Sequence, residues 1–388
     1  MLIIEVFFVK QRPEISKKFL RLCSYVLVAA LASAATWALA PGVSKLDQLA
    51  DLIDRRFVGE ADMTQVEDTA AAAMIAALGD RWSYYIPAKA YADHVNNQNN
   101  EYVGIGITIQ KRQDGAGFDI LAVEPEGPAA EAGILPGDIV THVDEASVSE
   151  LDITGLRSRI VGQKNTKLTV TVLRGEESLT FTVTRKAIHT KVAAGQMLEE
   201  NIGYVAIANF HTDAAKETVA VIEDLLSKGA QSLVLDVRNN PGGFTDELVK
   251  LLDYLLPEGP LFKTVNYNGR EKLDTSDAAC LELPMAVLIN GSSYSAAEFF
   301  AAALSEYDWA VTVGEKTVGK GYYQVTTQLS DGSAVNLSIG KYYTPNGVNL
   351  AEVGGLTPDV PVEPAEGYTA VENDPQVQAA AAALTGKS

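Results

Sequence analysis

Residues 285–298 have the sequence MAVLINGSSYSAAE and are predicted to join a buried strand to a helix. The predicted fold and the predicted site both follow from this stretch. Five apolar residues, Met285–Ile289, predict the strand, and Ala296–Glu306 predicts the helix. The serine-rich turn between them brings hydroxyl groups to a helix N-terminus, where backbone N–H groups favour negative charge. An acyl-transfer enzyme needs its nucleophile and oxyanion donors in such a place. The pattern Ser295-x-x-Glu298 is also that of a capping box, in which the serine only satisfies the start of the helix.

Strand–helix units repeat around this turn, from Gly203 onward. The predicted elements are strand Tyr204–Asn209, helix Asp213–Lys228, strand Ser232–Val237, helix Thr245–Leu256, strand Met285–Ile289, helix Ala296–Glu306 and strand Ala310–Gly314. Repeated β–α units predict a mostly parallel sheet. An Ala-rich stretch, Pro375–Leu384, predicts a last helix.

A second candidate segment, residues 236–243 with the sequence DVRNNPGG, ends a strand and precedes a helix. Ligands of open α/β sheets bind at the carboxyl ends of the strands. The glycines Gly242 and Gly243 can turn bare N–H groups toward a substrate oxygen. A plain tight turn would have the same composition, so both interpretations stay open here.

A third candidate is Lys320, which lies between Gly319 and Gly321, with Gln324 four residues further on. A lysine acts as a general base only when it is neutral, so it must be desolvated to lower its pKa. An exposed loop lysine is the simpler alternative. A phosphate-binding loop is excluded because Gly321 follows the lysine where Ser or Thr is required.

The region before the α/β units divides into two parts. Residues 44–99 are predicted to be helical, and the polar stretch Asn96–Asn100 is a plausible boundary. Residues 101–187 form a compact β-rich module with two short helices. Its predicted elements are strands Tyr102–Ile109, Phe118–Val123 and Ile139–Val143, helices Gly127–Ala132 and Asp152–Val161, and a hairpin of Leu168–Leu173 with Leu179–Thr184.

The N-terminal residues have the pattern of a membrane anchor. Residues 1–21 carry five Lys and Arg against two Glu, a net charge of +3, and Leu22–Ala40 has no charge. A basic flank before such a run predicts a signal peptide or one transmembrane helix; a buried core helix is the alternative. We expect an uncleaved anchor, because Pro41 would follow the cut, with residues 1–21 cytoplasmic and 41–388 extracytoplasmic. Cleavage would instead give a secreted protein.

Composition excludes several classes of protein. A chain of 388 residues suggests two or three domains, and 47% hydrophobic residues exclude whole-chain disorder. The net charge of −19 argues against nucleic acid as a partner, because phosphates favour a basic surface. The two cysteines, Cys23 and Cys280, are too few for a cysteine-based zinc site and are not expected to pair.

Other catalytic schemes find little support. The residues His211, Asp236 and Ser295 occur in the order of one known triad type, but nothing local supports that triad. Carboxylate pairs and metal ligands do not cluster at the usual spacings. We therefore expect neither a metal nor another cofactor.

Taken together, these segments resemble the carboxy-terminal processing peptidases, or tail-specific proteases, which are serine peptidases with a PDZ domain. The family's nucleophile motif matches residues 293–298, SYSAAE, although Tyr294 and Ala297 depart from its usual residues. The family's lysine motif matches residues 317–321, TVGKG, and residues 236–243 match its glycine element. Residues 102–107, YVGIGI, look like a PDZ carboxylate-binding loop, and residues 127–138 are similar to the middle of a PDZ domain.

The resemblance implies a role for each matching residue. Ser295 would be the nucleophile, Lys320 its general base, and Gln324 the residue that orients the lysine. The N–H groups of Ala296 and of Gly242 or Gly243 would form the oxyanion hole. In the PDZ domain, the loop Gly104–Gly106 would hold a substrate carboxylate, while Ile105 and Ile107 would line a pocket for an apolar last side chain.

The fold and function implied by the resemblance complete the prediction. The fold class is α/β (α+β), with a crotonase-like or Clp-protease-like catalytic core, an inserted PDZ domain and an N-terminal helical segment. The expected divisions are an anchor (1–43), a helical region (44–100), the PDZ domain (101–187) and the core (188–388). The function is that of a membrane-anchored serine endopeptidase that selects proteins with apolar C-termini. The family also implies a homodimer through the N-terminal helices. The alternatives are a non-catalytic PDZ adaptor and a peptidase held inactive until a partner binds.

Overall fold

The computed structural model describes residues 44–365 and 370–386, and the chain divides into two units between Ala71 and Ala72. The first unit begins with helix α1, Lys45–Arg56, and includes the start of helix α2, Met63–Ala76. A capping box starts α1: the Asp47 N–H donates to Ser44 Oγ, and the Ser44 N–H donates to Asp47 Oδ2. No helix among the described residues is long and apolar enough to cross a bilayer. The predicted anchor, Leu22–Ala40, lies outside the described residues.

The rest of the chain contains a six-stranded sheet whose central strands are parallel. Its order is β10 (Ala193–Met197), β11 (Ile202–Ile207), β12 (Ser232–Asp236), β15 (Met285–Ile289), β16 (Ala310–Gly314) and β19 (Val360–Pro361), and only β10 runs antiparallel to its neighbour. Every residue of β12 and β15 is buried, as expected for strands that are covered on both faces. The predicted parallel sheet is confirmed.

Helices cover both faces of this sheet. One face packs against α6 (Ala214–Ser227), α7 (Thr245–Leu255) and α8 (Ala296–Glu306). The other face packs against the C-terminal helix α10, Pro375–Thr385, through Val377 and Ala380. The DVRNNPGG segment after β12 and the serine-rich turn after β15 therefore lie side by side, at the carboxyl ends of adjacent parallel strands.

A second sheet, which the sequence did not predict as a unit, is antiparallel. It consists of β1 (Tyr84–Ile86), β18 (Ala334–Tyr343), β13 (Gly259–Asn266) and β14 (Glu271–Ser276), with β17 (Tyr322–Gln328) paired to β18. An aromatic cluster joins this sheet to α8: the ring centroid of Phe262 lies 5.3 Å from that of Phe299 and 4.9 Å from that of Tyr342. This packing brings β1, a strand within the region predicted to be helical, close to the core. Helix α3, Ala88–Gln98, follows β1, and a short helix α9, Leu350–Val353, follows β18.

The PDZ-like module has its own sheet and core. The sheet order is β3 (Ile107–Lys111), β4 (Phe118–Val123), β5 (Ile139–Val143), β7 (Lys167–Arg174) and β8 (Glu177–Thr184), with β6 (Ala146–Ser147) on β5. Helices α4 (Pro128–Ala132) and α5 (Ile153–Ile160) complete it. A separate two-stranded ribbon, β2 (Glu101–Gly104) with β9 (Lys186–His189), joins its two ends.

The predicted strand Tyr102–Ile109 is wrong in one respect, because two strands replace it. The chain turns at Ile105 and Gly106, where Gly106 has φ +76°, and the Ile105 carbonyl accepts a hydrogen bond from the Ala129 N–H. The Ile105 side chain is thereby fully buried in the module core, and β3 remains at the edge of the sheet.

Candidate active site

The turn between β15 and α8 holds its three serines in different environments. Ser292 is exposed, whereas the buried Ser293 hydroxyl donates to the Val237 carbonyl at 2.7 Å and accepts from the Asn290 N–H. Ser295 is buried at the start of α8 with φ 60° and ψ −129°, a backbone conformation that is rare for a residue with a side chain. Residues held this way cluster at functional sites. Ser293 therefore ties the turn to the end of β12, and Ser295 is the serine in the strained position.

A single buried carboxylate, that of Glu298, joins this turn to the lysine segment. Its Oε2 accepts from the backbone N–H groups of Ser295 and Lys320, each at 2.9 Å. Its Oε1 accepts from the Gly319 N–H at 2.7 Å and from the Thr317 hydroxyl. Glu298 does cap the helix, as the capping-box interpretation required, and it also fixes the position of the Lys320 backbone.

The predicted catalytic residues meet in one cavity of about 710 Å³. Ser295, Lys320, Gln324 and Gly243 all contribute to its wall. Further lining residues come from the helical region and from the antiparallel sheet, including Trp82, Tyr84, His94, His211, Tyr294 and Tyr342. The fold thus brings together side chains from β1, α3, β17 and β18 with the turn after β15.

Lys320 is half-buried among aromatic side chains. Its Nζ is 4.7 Å from the ring centroid of Trp82 and 5.8 Å from that of Tyr294. Burial lowers the pKa of Lys320 to about 8, although the carboxylates of Asp80 and Glu298 oppose the shift; Arg81 adds to it. A substantial fraction of this lysine is therefore neutral at mildly alkaline pH, as a general base must be.

The Ser295 hydroxyl shares a hydrogen bond with the hydroxyl of Tyr342. Burial raises the pKa of Tyr342, so the phenol stays protonated. Among the described residues, no hydrogen bond joins Ser295 Oγ to Lys320 Nζ. Gln324 Nε2 donates to the Tyr322 carbonyl at 3.1 Å and to Ser338 Oγ at 2.9 Å. Catalytic hydrogen bonds commonly tighten only when substrate binds.

The two glycines of the DVRNNPGG segment differ in what their N–H groups do. Gly242 has φ +84°, and a Cβ there would lie 2.7 Å from Ser295 Cβ; its N–H donates to Asn240 Oδ1 at 2.8 Å. Gly243 has φ +156°, and a Cβ there would lie 2.2 Å from the Phe210 carbonyl carbon. Neither the Gly243 N–H nor the Ala296 N–H donates a hydrogen bond within the described residues. Only glycine fits at either position.

The structure gives no support to a histidine triad. Asp236 accepts from the Tyr204 hydroxyl at 2.7 Å and pairs with Arg238 at 2.6 Å, at the end of β12. Burial lowers the pKa of His211, whose Nδ1 lies 3.1 Å from the Asn97 carbonyl oxygen. Within residues 44–365 and 370–386, no group of three or more His, Cys, Asp or Glu is arranged to hold a metal ion.

The module formed by residues 101–187 has a groove of about 300 Å³ between strand β3 and helix α5. Of the residues predicted to bind a peptide, Ile105, Gly106 and Ile107 line this groove. Gly104 pairs with Lys186 in the β2–β9 ribbon instead. Arg157 of α5 is exposed and also lines the groove, and the sequence gave no signal for it.

Sequence reasoning also missed three groups around Ser295 and Lys320. Trp82 and Asp80 lie more than 200 positions before Lys320, in a stretch with no catalytic motif. Tyr342 also lies in a stretch for which the sequence offered no catalytic motif. No local pattern reports such long-range neighbours, and only the pairing of β1 and β17 with β18 brings them close.

Comparison with known proteins shows the family of the chain. Residues 201–362 match the model of peptidase family S41, and residues 103–184 match a PDZ domain model. A carboxyl-terminal-processing protease of Synechocystis sp. is 31% identical over 82% of this chain and 77% of its own length. A CtpA-like serine protease of Staphylococcus aureus is 29% identical over 83% of this chain, which spans 65% of that relative's length.

Among solved structures, the photosystem II D1 C-terminal processing protease matches 82% of this chain and 87% of its own, with 25% identity and a TM-score of 0.48. The similarity to the Synechocystis relative extends over most of both chains, and the PDZ match precedes the peptidase match, as expected. The expected α/β fold with a PDZ domain is thereby confirmed. The chain belongs to the carboxyl-terminal-processing proteases of peptidase family S41 and is a serine-type endopeptidase.

Proposed function

We propose that Ser295 and Lys320 form the catalytic dyad of this peptidase. Neutral Lys320 accepts the Ser295 proton as Oγ attacks a peptide carbonyl, and the resulting ammonium then protonates the leaving amine. The acyl-enzyme is hydrolysed by water in a second step. The observation that carries this proposal is the burial of Lys320 over Trp82, in the same cavity as Ser295. The Ser295 hydroxyl must exchange its Tyr342 partner for Lys320 to react.

The oxyanion hole consists of the N–H groups of Ala296 and Gly243. Both are without an acceptor among the described residues, and Gly243 lines the cavity. The Gly242 N–H is already bonded to Asn240, so Gly242 contributes close packing against Ser295 instead. With both of its amide hydrogens donated, Gln324 offers Lys320 its carbonyl oxygen.

The PDZ module selects substrates by their C-termini. An extended peptide adds to the free edge of β3, with its carboxylate near Gly106 and an apolar last side chain in the groove of Ile105 and Ile107. The module thereby delivers protein tails to the catalytic cavity.

The basic flank and the apolar run of residues 22–40 support a membrane-anchored, extracytoplasmic enzyme. Dimerisation through the N-terminal helices stays a prediction from the family.

The dyad is tested by alanine substitution in the full chain, with cleavage of an unstructured protein that ends in apolar residues as the readout. We expect Ser295→Ala and Lys320→Ala each to abolish cleavage, because both act in one proton transfer. Ser292→Ala and Lys316→Ala are the matched controls, since both side chains are exposed. Full activity of Ser295→Ala with an inactive Ser293→Ala would move the nucleophile and refute the assignment.

A further inference from the structure

Asp80 lies in the turn between α2 and β1 and holds a network of hydrogen bonds at the edge of the catalytic cavity. Its Oδ1 accepts from the Trp82 N–H at 3.0 Å, and its Oδ2 accepts from the Ser83 hydroxyl at 2.6 Å. The Ser338 side chain is a further hydrogen-bond partner. Burial alone would raise the pKa of Asp80, but these hydrogen bonds and the charge of Lys320 together lower it. The carboxylate is therefore ionised at neutral pH.

This network reaches two residues of the proposed catalytic group, Lys320 and Gln324. The same turn carries Trp82, whose ring lies under Lys320 Nζ. Ser338 accepts from Gln324 Nε2 at 2.9 Å, and its own N–H donates to Ser83 Oγ at 2.9 Å. Ser338 of strand β18 thus links Asp80 to Gln324, and the turn that holds Asp80 also supplies the Trp82 ring beside Lys320.

Three charged groups act on Lys320, and they are not equivalent. Asp80 and Glu298 are the acidic groups and Arg81 is the basic one. Glu298 directs both oxygens to backbone N–H groups and the Thr317 hydroxyl, so its hydrogen bonds fix the main chain. Arg81 is exposed, and its guanidinium carbon lies 4.2 Å from the Trp82 ring centroid. The other ionisable groups of the cavity wall are His94, His211 and the tyrosines. Asp80 differs from Glu298, because its hydrogen bonds hold the turn whose Trp82 ring contacts the lysine side chain.

We propose that Asp80 is a positioning residue of the dyad: its carboxylate stabilises the ammonium form of Lys320 and, through Ser338, holds Gln324 against it. The inference rests on the proposed dyad. When Ser295 attacks, its O–H bond breaks, an N–H bond forms on Lys320, and the carbonyl electron pair moves to the oxyanion. Asp80 exchanges no proton. It offsets the positive charge that appears on Lys320 until the leaving amine takes the proton.

The test compares Asp80→Asn with Asp80→Glu and with Asp93→Asn, an exposed carboxylate of α3, all in the full chain. Asp80→Asn removes the charge and keeps the shape of the side chain. We expect its maximal rate of peptide cleavage to fall about tenfold or more, the loss of one charge-assisted contact. The pH at which its rate reaches half of the plateau value should fall by about one unit, because the ammonium form of Lys320 loses its counter-charge. Asp93→Asn should match the wild type.

A second readout separates this proposal from the dyad itself. The pKa of Lys320 is followed by NMR of ¹³C-labelled lysine, assigned with Lys320→Ala, which needs no turnover. We expect the pKa of Lys320 to fall in Asp80→Asn and to stay close to the wild-type value in Asp80→Glu, which keeps the charge.

An unchanged Lys320 titration in Asp80→Asn would overturn the positioning role, even if cleavage fell. A lowered pKa of Lys320 in the folded Asp80→Glu protein would overturn it as well. That second variant decides the positioning role if Asp80→Asn does not fold. Failure of the dyad has a different signature, namely cleavage that survives Lys320→Ala.

Discussion

The backbone N–H of Lys320 donates a hydrogen bond at 2.9 Å to Glu298 Oε2, the atom that also accepts from the Ser295 N–H. Two segments separated by 25 residues in the chain are thus held by one oxygen. Glu298 is fully buried, so these bonds are made where water cannot replace them. Glu298 therefore fixes the separation of the proposed nucleophile, Ser295, from the proposed base, Lys320.

Substituting Glu298 by glutamine tests this dependence. An amide has one acceptor oxygen in place of two, so at least one buried N–H at Ser295, Gly319 or Lys320 loses its partner. We expect the free energy of unfolding to fall by about 1–3 kcal/mol and cleavage to fall at least tenfold. Urea unfolding and cleavage rates measure the two effects. The control Glu352→Gln removes an exposed carboxylate and should change stability by no more than about 0.5 kcal/mol. A Glu298→Gln enzyme with wild-type stability and rate would show that the carboxylate is dispensable.

The pH dependence of cleavage should follow the titration of Lys320. Its folded pKa of about 8 lies below the ordinary lysine value, so the neutral base becomes more abundant as pH rises through 8. We expect kcat/KM to rise through this range and to level off above it, when measured from pH 6 to pH 10. The rate should be unaffected by a metal chelator. A profile that is flat while chemistry limits turnover, or activity lost to the chelator, would contradict a lysine base.

The sequence predicted the catalytic core well because its signals are local. Short apolar runs such as Met285–Ile289, bounded by turn residues, indicate buried strands, and the glycines around Lys320 indicate a close approach of the backbone. Ser295, Lys320 and Gln324 became candidates this way, and the roles given to them come from the family resemblance. All three line the same cavity.

The environment that gives these residues their chemistry was not predictable in the same way. Asp80 and Trp82 approach Lys320 only because β1 pairs with β18, through Tyr84 and Asn336 among others. The strands of this antiparallel sheet are half-exposed and mix polar with apolar residues, so their periodicity is weak. The depressed pKa of Lys320 is a property of that packing.

The glycines beside Ser295, the proposed nucleophile, are tested by alanine substitution. A Cβ on Gly242 would collide with Ser295, and one on Gly243 would collide with the Phe210 backbone. We expect Gly243→Ala to lose cleavage by about a hundredfold or more, the scale of a lost oxyanion donor. Gly242→Ala should also lose cleavage, because the added Cβ displaces Ser295. Gly269→Ala is the matched control, since Gly269 has φ +75° with open space around it. It should lose some stability and keep its rate. Full activity in Gly243→Ala would exclude Gly243 from the oxyanion hole.

The PDZ groove provides the last prediction, which concerns the substrate's C-terminus. The groove lies between edge strand β3 and helix α5, and its lining is largely isoleucine. Gly106, with φ +76°, gives the loop the backbone freedom to turn N–H groups toward a carboxylate. Exposed Arg157 lies on the groove wall, where its charge favours the same carboxylate. We therefore expect free C-termini with apolar last residues to bind.

Calorimetry with the full chain, carrying Ser295→Ala to prevent cleavage, compares a peptide acid with its C-terminal amide. Amidation removes the charge and should weaken binding about tenfold or more, the loss of one charge-assisted contact of roughly 1.5–3 kcal/mol. Arg157→Gln should weaken binding of the acid and leave the amide unchanged. Arg159→Gln is the control, because that side chain is exposed on the same helix and does not line the groove. Equal affinity for acid and amide would mean that the module does not read C-termini, and substrate selection would then have to occur in the catalytic cavity.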